Sequence, residues 1–463
     1  MDALLTSIKT LVDSLGATVV LPLFIFVLAW AMGASPARAF RACVLIGIAF
    51  IGINLIIGLM WSSLSGVAEA MVKNTGISRD VVDVGWPSAA AIAFGSKVGL
   101  WVIPIALLVN IILLFTRVTK TLNVDIWNFW HFAFIGSLIV AATDNLAYGL
   151  IAAAIAAAFT LFLADWTAKA VQNFFDLPGI SIPNLLAAPI VPIAIATNWL
   201  IEKIPGARNW NADTDAIQKK FGVLGEPVIL GLVIGIILGI LGFYNAGDCA
   251  TVIAKNLKTG MELAAVMLLL PNMVKILIEG LIPVSEAAHT FMQKRAGGRE
   301  FYIGLDCAIL MRHPAAISSS FILVPLAILL SIVLPGNRVI LFADIAVIPF
   351  VIAMCAPLLK GNIFRMIITG VVTLVSGFYI ASGMADIFTK AAVDAGFKLP
   401  ENALRITSIG DGFLWPTFVF TGLVSELKEI GLLILLFCVA ALFFFFSKNT
   451  KKWETAAGAP IEE

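Results

Sequence analysis

The stretches Asp83-Val84-Gly85-Trp86-Pro87-Ser88 and Asp411-Gly412-Phe413-Leu414-Trp415-Pro416-Thr417 each interrupt an apolar run, one towards each end of the chain. Glycine and proline open a helix, and an opened backbone inside a bilayer has no water to bond. It is tolerated only where protein or a watery cavity surrounds it. Paired interruptions in corresponding parts of a chain therefore point to a cavity near the bilayer midplane. On that reading Gly85, Trp86 and Ser88 in the first break, and Asp411 and Gly412 in the second, are candidate binding residues.

Composition agrees with a membrane setting. Of 463 residues 60% are apolar and 13% charged, against roughly 25% charged in a soluble domain. The expected class is an all-α polytopic membrane protein. A net charge of +1 creates no field that would attract nucleic acid. Five scattered cysteines without a C-x-x-C pair, and three histidines, supply no metal cluster. No Gly-x-x-x-x-Gly-Lys phosphate loop occurs, nor a nucleophile with a base beside it, so neither cofactor nor metal is expected. The first apolar run, Ala17 to Met32, reads as a retained span rather than a cleaved signal.

With about 20 apolar residues per span, the sequence predicts eleven: 16–33, 42–61, 98–116, 131–144, 146–163, 227–244, 261–283, 316–334, 340–358, 363–384 and 428–446. Residues 84–96, 179–200 and 410–423 read as re-entrant hairpins. The stretches 165–176 and 285–296 mix aromatic and basic residues, as interfacial or cytoplasmic helices do. With the amino terminus outside, the inner loops collect Arg38, Arg41, Arg117, Lys120, Lys169, Arg365 and the Lys448/Lys451/Lys452 tail, in line with the positive-inside rule. The whole chain, 1–463, reads as one membrane domain, embedded over about 16–446, with a cytoplasmic tail at 447–463 and no soluble domain attached. Phe40-Arg41 ahead of Trp86-Pro87, and Phe364-Arg365 ahead of Trp415-Pro416, suggest two repeats.

Few polar groups remain for a solute, and polar groups inside a membrane are expensive enough to suggest a site. Asp306 lies seven residues before His313, about two helical turns, which would set both on one face. Asp306 could accept hydrogen bonds from hydroxyls or act as a base; the plain alternative is a helix cap or a partner for Arg312. Asn184 can donate and accept at once, as a polyol requires, or simply sit in the turn after Pro183. His131 reads either as a site residue or as a satisfied core histidine beside the aromatic belt of Trp127 and Trp130. Lys275 and Glu279 pair with one another at i, i+4.

Several words, in order, carry a resemblance: Val82-Asp83-Val84-Gly85-Trp86-Pro87, Arg117 through Asn128, Ala164-Asp165-Trp166, Gly179 through Pro183, Ile201 through Gly206, Gln218 through Gly222 with Gly225-Glu226-Pro227, and Gly304-Leu305-Asp306. The chain resembles the galactitol-type enzyme IIC of the bacterial phosphoenolpyruvate:sugar phosphotransferase system. The resemblance implies a permease of the bacterial cytoplasmic membrane that moves a polyol or sugar inward as it is phosphorylated. The phosphoryl donor would be a cysteine on a separate enzyme IIB, charged by enzyme IIA, so this chain is the membrane subunit of a phosphotransferase complex. Similarity to the ascorbate carriers implies a homodimer in lipid, with a scaffold and a moving core. Gly85, Trp86, Ser88, His131, Asn184, Asp306, His313, Asp411 and Gly412 would line the substrate, and Asp306 would orient or deprotonate the accepting hydroxyl. Pro183-Asn184-Leu185-Leu186 departs from the Pro-His expected there, which puts galactitol itself in question. A cation-coupled secondary carrier that releases its solute unmodified is the alternative.

Overall fold

The computed structural model describes residues 17–460 apart from 77–78, 208–209, 211, 213–225, 296–299, 342 and 401–402. Four helices, Ala17–Ala31, Pro36–Thr75, Pro227–Phe243 and Cys249–Arg295, pack chiefly on one another. The second and fourth run for 40 and 47 residues, roughly 60 and 70 Å, about twice the hydrocarbon thickness of a bilayer. Ser35 starts the second by accepting a hydrogen bond from the Arg38 N–H, with Pro36 at the first helical position. Glycine lets Pro227–Phe243 lie almost backbone to backbone on Cys249–Arg295. A Cβ on Gly235 would fall 2.7 Å from Gly260 Cα, and one on Gly239 2.8 Å from Asn256 Cα. Without a hydrophobic drive between helices in lipid, such close packing holds them together.

The other elements gather around two small parallel sheets. The first has the order β5-β1-β6, from Val339–Ile340, Val81–Asp83 and Arg405–Thr407. The second has the order β2-β4-β3, from Thr121–Asn123, Tyr302–Gly304 and Ile180–Ser181. Exchanging each strand for the one three places along the chain turns one order into the other. Register puts Asp83 opposite Thr407 in the first sheet and Gly304 opposite both Asn123 and Ser181 in the second. Parallel strands end together, so three chain segments leave each sheet at one edge.

Between β1 and β2 the chain changes sheets through helices Trp86–Gly95 and Gly99–Phe115, which meet at 89°. It stays with the second sheet through Trp130–Thr143 and Leu146–Phe175, and returns to the first through Pro314–Val333. Buried side chains fix the strands. Asn110 donates to the Thr121 carbonyl at 2.8 Å and accepts from the Asn123 N–H at 2.9 Å. Asp165 accepts from the hydroxyls of Thr119 and Thr121, both at 2.7 Å, and from the Lys120 N–H at 3.0 Å.

The protein is helical and polytopic as expected, but the span count differs. Among the described residues seven helices are long and apolar enough to cross a bilayer, or eight if the bent pair counts as one. The apolar run 340–358, expected to span, is instead the end of β5, a 3-10 turn at Ile345–Val347 and the short helices Ile348–Ala353 and Ala356–Leu359. It is buried on nearly all sides, so its apolarity reflects surroundings rather than helical periodicity. Residues 165–176 are no separate interfacial helix; they finish the Leu146–Phe175 helix, with Asp165, Trp166 and Val171 buried. Residues 285–295 likewise continue Cys249–Arg295. The tail is also packed: after Glu429–Lys448, helix Thr450–Ala456 sets the Trp453 ring 5.3 Å from Trp166 and 5.8 Å from Phe162, and the Trp166 indole donates to the Trp453 carbonyl. Gln218 through Gly222 and Gly225 lie outside the described residues.

Each sheet is clamped at its entry by an acid just ahead of the central strand. Asp80, before β1, accepts from Arg338 Nε at 3.1 and 3.2 Å and from Arg405 Nη1 at 3.2 Å, tying the starts of β5 and β6 to it. The Arg338 guanidinium holds the Asp80 carboxyl below its ordinary range. Glu300, before β4, accepts from Lys120 and Lys169, both at 2.6 Å. Partial burial pushes the Glu300 carboxyl up, but the two lysines outweigh it and bring it down to about 2. Such a carboxylate stabilises the fold above its unfolded pKa of about 4.3, and the contribution fades as pH falls towards 2. The thermal stability of wild type in detergent should therefore exceed that of Glu300→Gln at pH 6, and the gap should shrink by about half at pH 3 and close only as pH falls through about 2. A gap independent of pH would mean the clamp does not act through charge.

Candidate functional site

Buried carboxylates gather the segments that leave the first sheet. Asp83 accepts from the N–H of Gly85 at 3.1 Å and of Asp344 at 2.8 Å. Asp344 in turn accepts from the Trp86 N–H at 2.7 Å, the Ser408 hydroxyl at 2.5 Å and the Gly410 N–H at 3.4 Å. The break after β1 is possible because these acids replace the partners that helix or water would have supplied. Gly85 takes φ +78°, a conformation other residues rarely adopt, and leads directly into Trp86-Pro87 at the helix start. Trp86 meets Trp61 of the Pro36–Thr75 helix edge to face at 6.5 Å.

At the second sheet the same device recurs with other residues. Asn123 accepts from the Asp125 N–H at 3.0 Å, and Asp125 accepts from the Asn128 amide at 2.6 Å. Asp306 caps the 3-10 turn Cys307–Arg312, accepting from the Ala308 N–H at 2.6 Å, and its other oxygen is hydrogen-bonded by Asn128.

One helix joins the two sheets' exits. Asn128 and His131 are three residues apart in the continuous helical segment Ile126–Thr143 and so share a face. The first reaches Asp306; the second places Nδ1 2.9 Å from Asp411 Oδ2, with both side chains buried. Trp130 lies over His131 with ring centroids 4.1 Å apart, and a Cβ on Gly410 would come within 2.9 Å of Trp130 and 3.0 Å of Trp86. Glycine at 410 thus allows the second break to close onto both tryptophans. Trp415 anchors that break from the far side by donating to the Pro189 carbonyl at 2.9 Å.

Of the residues singled out in the sequence, Gly85, Trp86, His131, Asp411 and Gly412 come together here, with Asp306 joined through Asn128 and half-buried. Ser88 sits partly exposed in the first turn of Trp86–Gly95. Asn184 is buried and accepts from the N–H groups of Leu186 and Ala187 at 2.9 and 3.3 Å, shaping the turn after β3. His313 lies elsewhere: it accepts from the Ala315 N–H at 3.2 Å and stacks on Phe174 at 4.6 Å. Asp306 and His313 do not share a helix face, because the segment between them is a 3-10 turn of about three residues per turn and His313 leaves it extended. Asn128, Asp125 and Asp344 were missed. Their signal was the recurrence of Asp just before a short turn, at 125, 306 and 344. A small apolar cavity lies behind Ile409 and Phe413, but apart from Thr373 its side chains offer nothing to a hydroxyl.

A polytopic helical protein with apolar segments broken at short strands, one of them tied to a neighbouring helix by a buried carboxylate–imidazole contact, has the build of a membrane carrier. Residues 11–402 match the family of the PTS system sugar-specific permease component, EIIC-GAT, and the chain belongs to that family. It is 42% identical to the PTS system galactitol-specific EIIC component of Escherichia coli K12 over 382 residues, 82% of this chain and 83% of that one. A putative permease IIC component of the same organism is 36% identical over 441 residues, 94% and 98% of the two chains. The protein is accordingly an integral protein of the bacterial inner membrane.

The His131–Asp411 pair should behave as a unit. Removing His131 alone, as His131→Phe, strands a buried carboxylate and should cost about 3–5 kcal/mol in unfolding experiments. Adding Asp411→Leu should restore most of that loss. Additive losses would show that the two groups are not coupled.

Proposed function

We propose that the protein is the membrane subunit of a phosphotransferase system that takes up a galactitol-like polyol and presents it for phosphorylation by phospho-enzyme IIB, itself charged by enzyme IIA. Family membership supports the class of transporter, and one observation supports the site: a single helix carries Asn128 and His131, which hold Asp306 at one sheet's exit and Asp411 at the other's. Acceptors and donors arranged in this way suit a solute that is itself a row of hydroxyls, each donating and accepting. A polyol entering between them would take over bonds these residues now make to one another. Asp306 is the acid best suited to orient or deprotonate the accepting hydroxyl, since it is half-buried rather than sealed. Gly85, Trp86, Ser88, Asn184 and Gly412 would complete the lining, with His313 supporting it from behind Phe174.

The two strand orders support a duplication in which β1–β3 correspond to β4–β6, each half lending one strand to one sheet and two to the other. This aligns the Trp86-Pro87 break with Asp306–Pro314 rather than with Trp415-Pro416, and the Pro36–Thr75 helix with Cys249–Arg295. Since the chain changes sheets between β1 and β2 and changes back between β4 and β5, the halves are inverted. The long paired helices would then be the scaffold of a homodimer, and the sheets with their breaks the core that moves against it in alternating access. Trp61 facing Trp86 marks the contact between them.

Two measurements test the proposal. Vesicles holding the protein should release polyol phosphate from radiolabelled galactitol, or a related hexitol or ketose, only with phospho-enzyme IIB; unmodified sugar accumulating on an ion gradient alone would contradict it. Asp306→Asn should lower phosphorylation by about 100-fold or more while the protein remains folded and monodisperse. Unchanged turnover would remove Asp306 from the reaction.

A further inference from the structure

Among the described residues seven buried side-chain atoms lack a hydrogen-bond partner, and three of them belong to the elements that meet around His131: Trp130 Nε1, Asp411 Oδ1 and Thr421 Oγ1. An unpartnered buried donor or acceptor weakens a folded protein, so its retention calls for a reason. Packing supplies only part of one for Trp130. Its ring lies on His131 and meets Phe134 edge to face at 6.2 Å, contacts that a phenylalanine ring could also make, while the far edge of the indole comes against Gly410. The side chain is 2% exposed, so water does not take the indole proton either. Beyond that larger ring, tryptophan adds at this position one N–H donor, beside the residue that holds Asp411.

We propose that Trp130 is a substrate-binding residue whose indole N–H is kept for an oxygen of the bound polyol. The inference rests on reading this site as the polyol site. A hydroxyl oxygen of the polyol would accept from Trp130 Nε1, the donor that the protein leaves unspent. The cost of that unmade bond in the empty site becomes selectivity: a deoxy analogue at that position does not recover it. A solute binding nearby without using the indole leaves the N–H as poorly served as before.

Thermal unfolding of the purified full-length chain, wild type and Trp130→Phe, with and without polyol, tests this. The probe is the first of galactitol, the other hexitols and the hexuloses to stabilise wild type; a wild type that responds to none of them contradicts the polyol reading itself. Given that response, Trp130→Phe should bind the same polyol about tenfold more weakly. Without polyol it should melt somewhat below the wild-type temperature, because the smaller ring leaves a cavity in a buried site. An affinity for the polyol within about twofold of wild type overturns the proposal.

Discussion

A bilayer gives an opened backbone nothing to bond, and the chain is opened at six places where short strands end inside its helical body. Everything around the site follows from how those openings are closed. At the first sheet Asp83 and Asp344 take up the N–H groups of Gly85, Trp86 and Gly410; at the second Asn123 and Asp306 do the same for the turns that follow β2 and β4, with the Asn128 amide donating to Asp125 and Asp306. Fully satisfied polar networks in a low dielectric are rigid, and partly satisfied ones are expensive. The site is thus stiff where it holds its own backbone and underserved at a few side-chain atoms, a distribution suited to a binding site.

Much of this was legible in the sequence. Trp86-Pro87 and Trp415-Pro416 marked real breaks, His131 and Asp411 do meet, and the composition announced a helical membrane protein. The sheets were not legible, because strands of two or three residues are too short to show alternation. For the same reason the run 340–358 looked like a span. Asp306 and His313 were set on one face by assuming an α-helical period; three residues per turn and an extended His313 separate them. Asp165 and Trp166 looked interfacial because polar and aromatic residues were read without knowing that β2 and the tail helix lie against them.

The proposed division of the molecule into a scaffold of long helices and a strand-centred core has a physical logic. Glycine packing sets Pro227–Phe243 close against Cys249–Arg295, whereas Trp61 on the long Pro36–Thr75 helix meets Trp86 by an edge-to-face ring contact. The acid clamps Asp80 and Glu300 hold each sheet together at its charged rim, as the proposed motion of a sheet together with its breaks would require.

The central claim is that the solute lies between Asp306 and Asp411 and competes with Asn128 and His131 for them. An experimental structure with a bound, phosphorylatable polyol addresses it most directly. The account predicts sugar hydroxyls at about 2.6–3.2 Å from both carboxylates, with at least one of the two side-chain pairs opened. A polyol bound elsewhere, with both pairs intact, would contradict it.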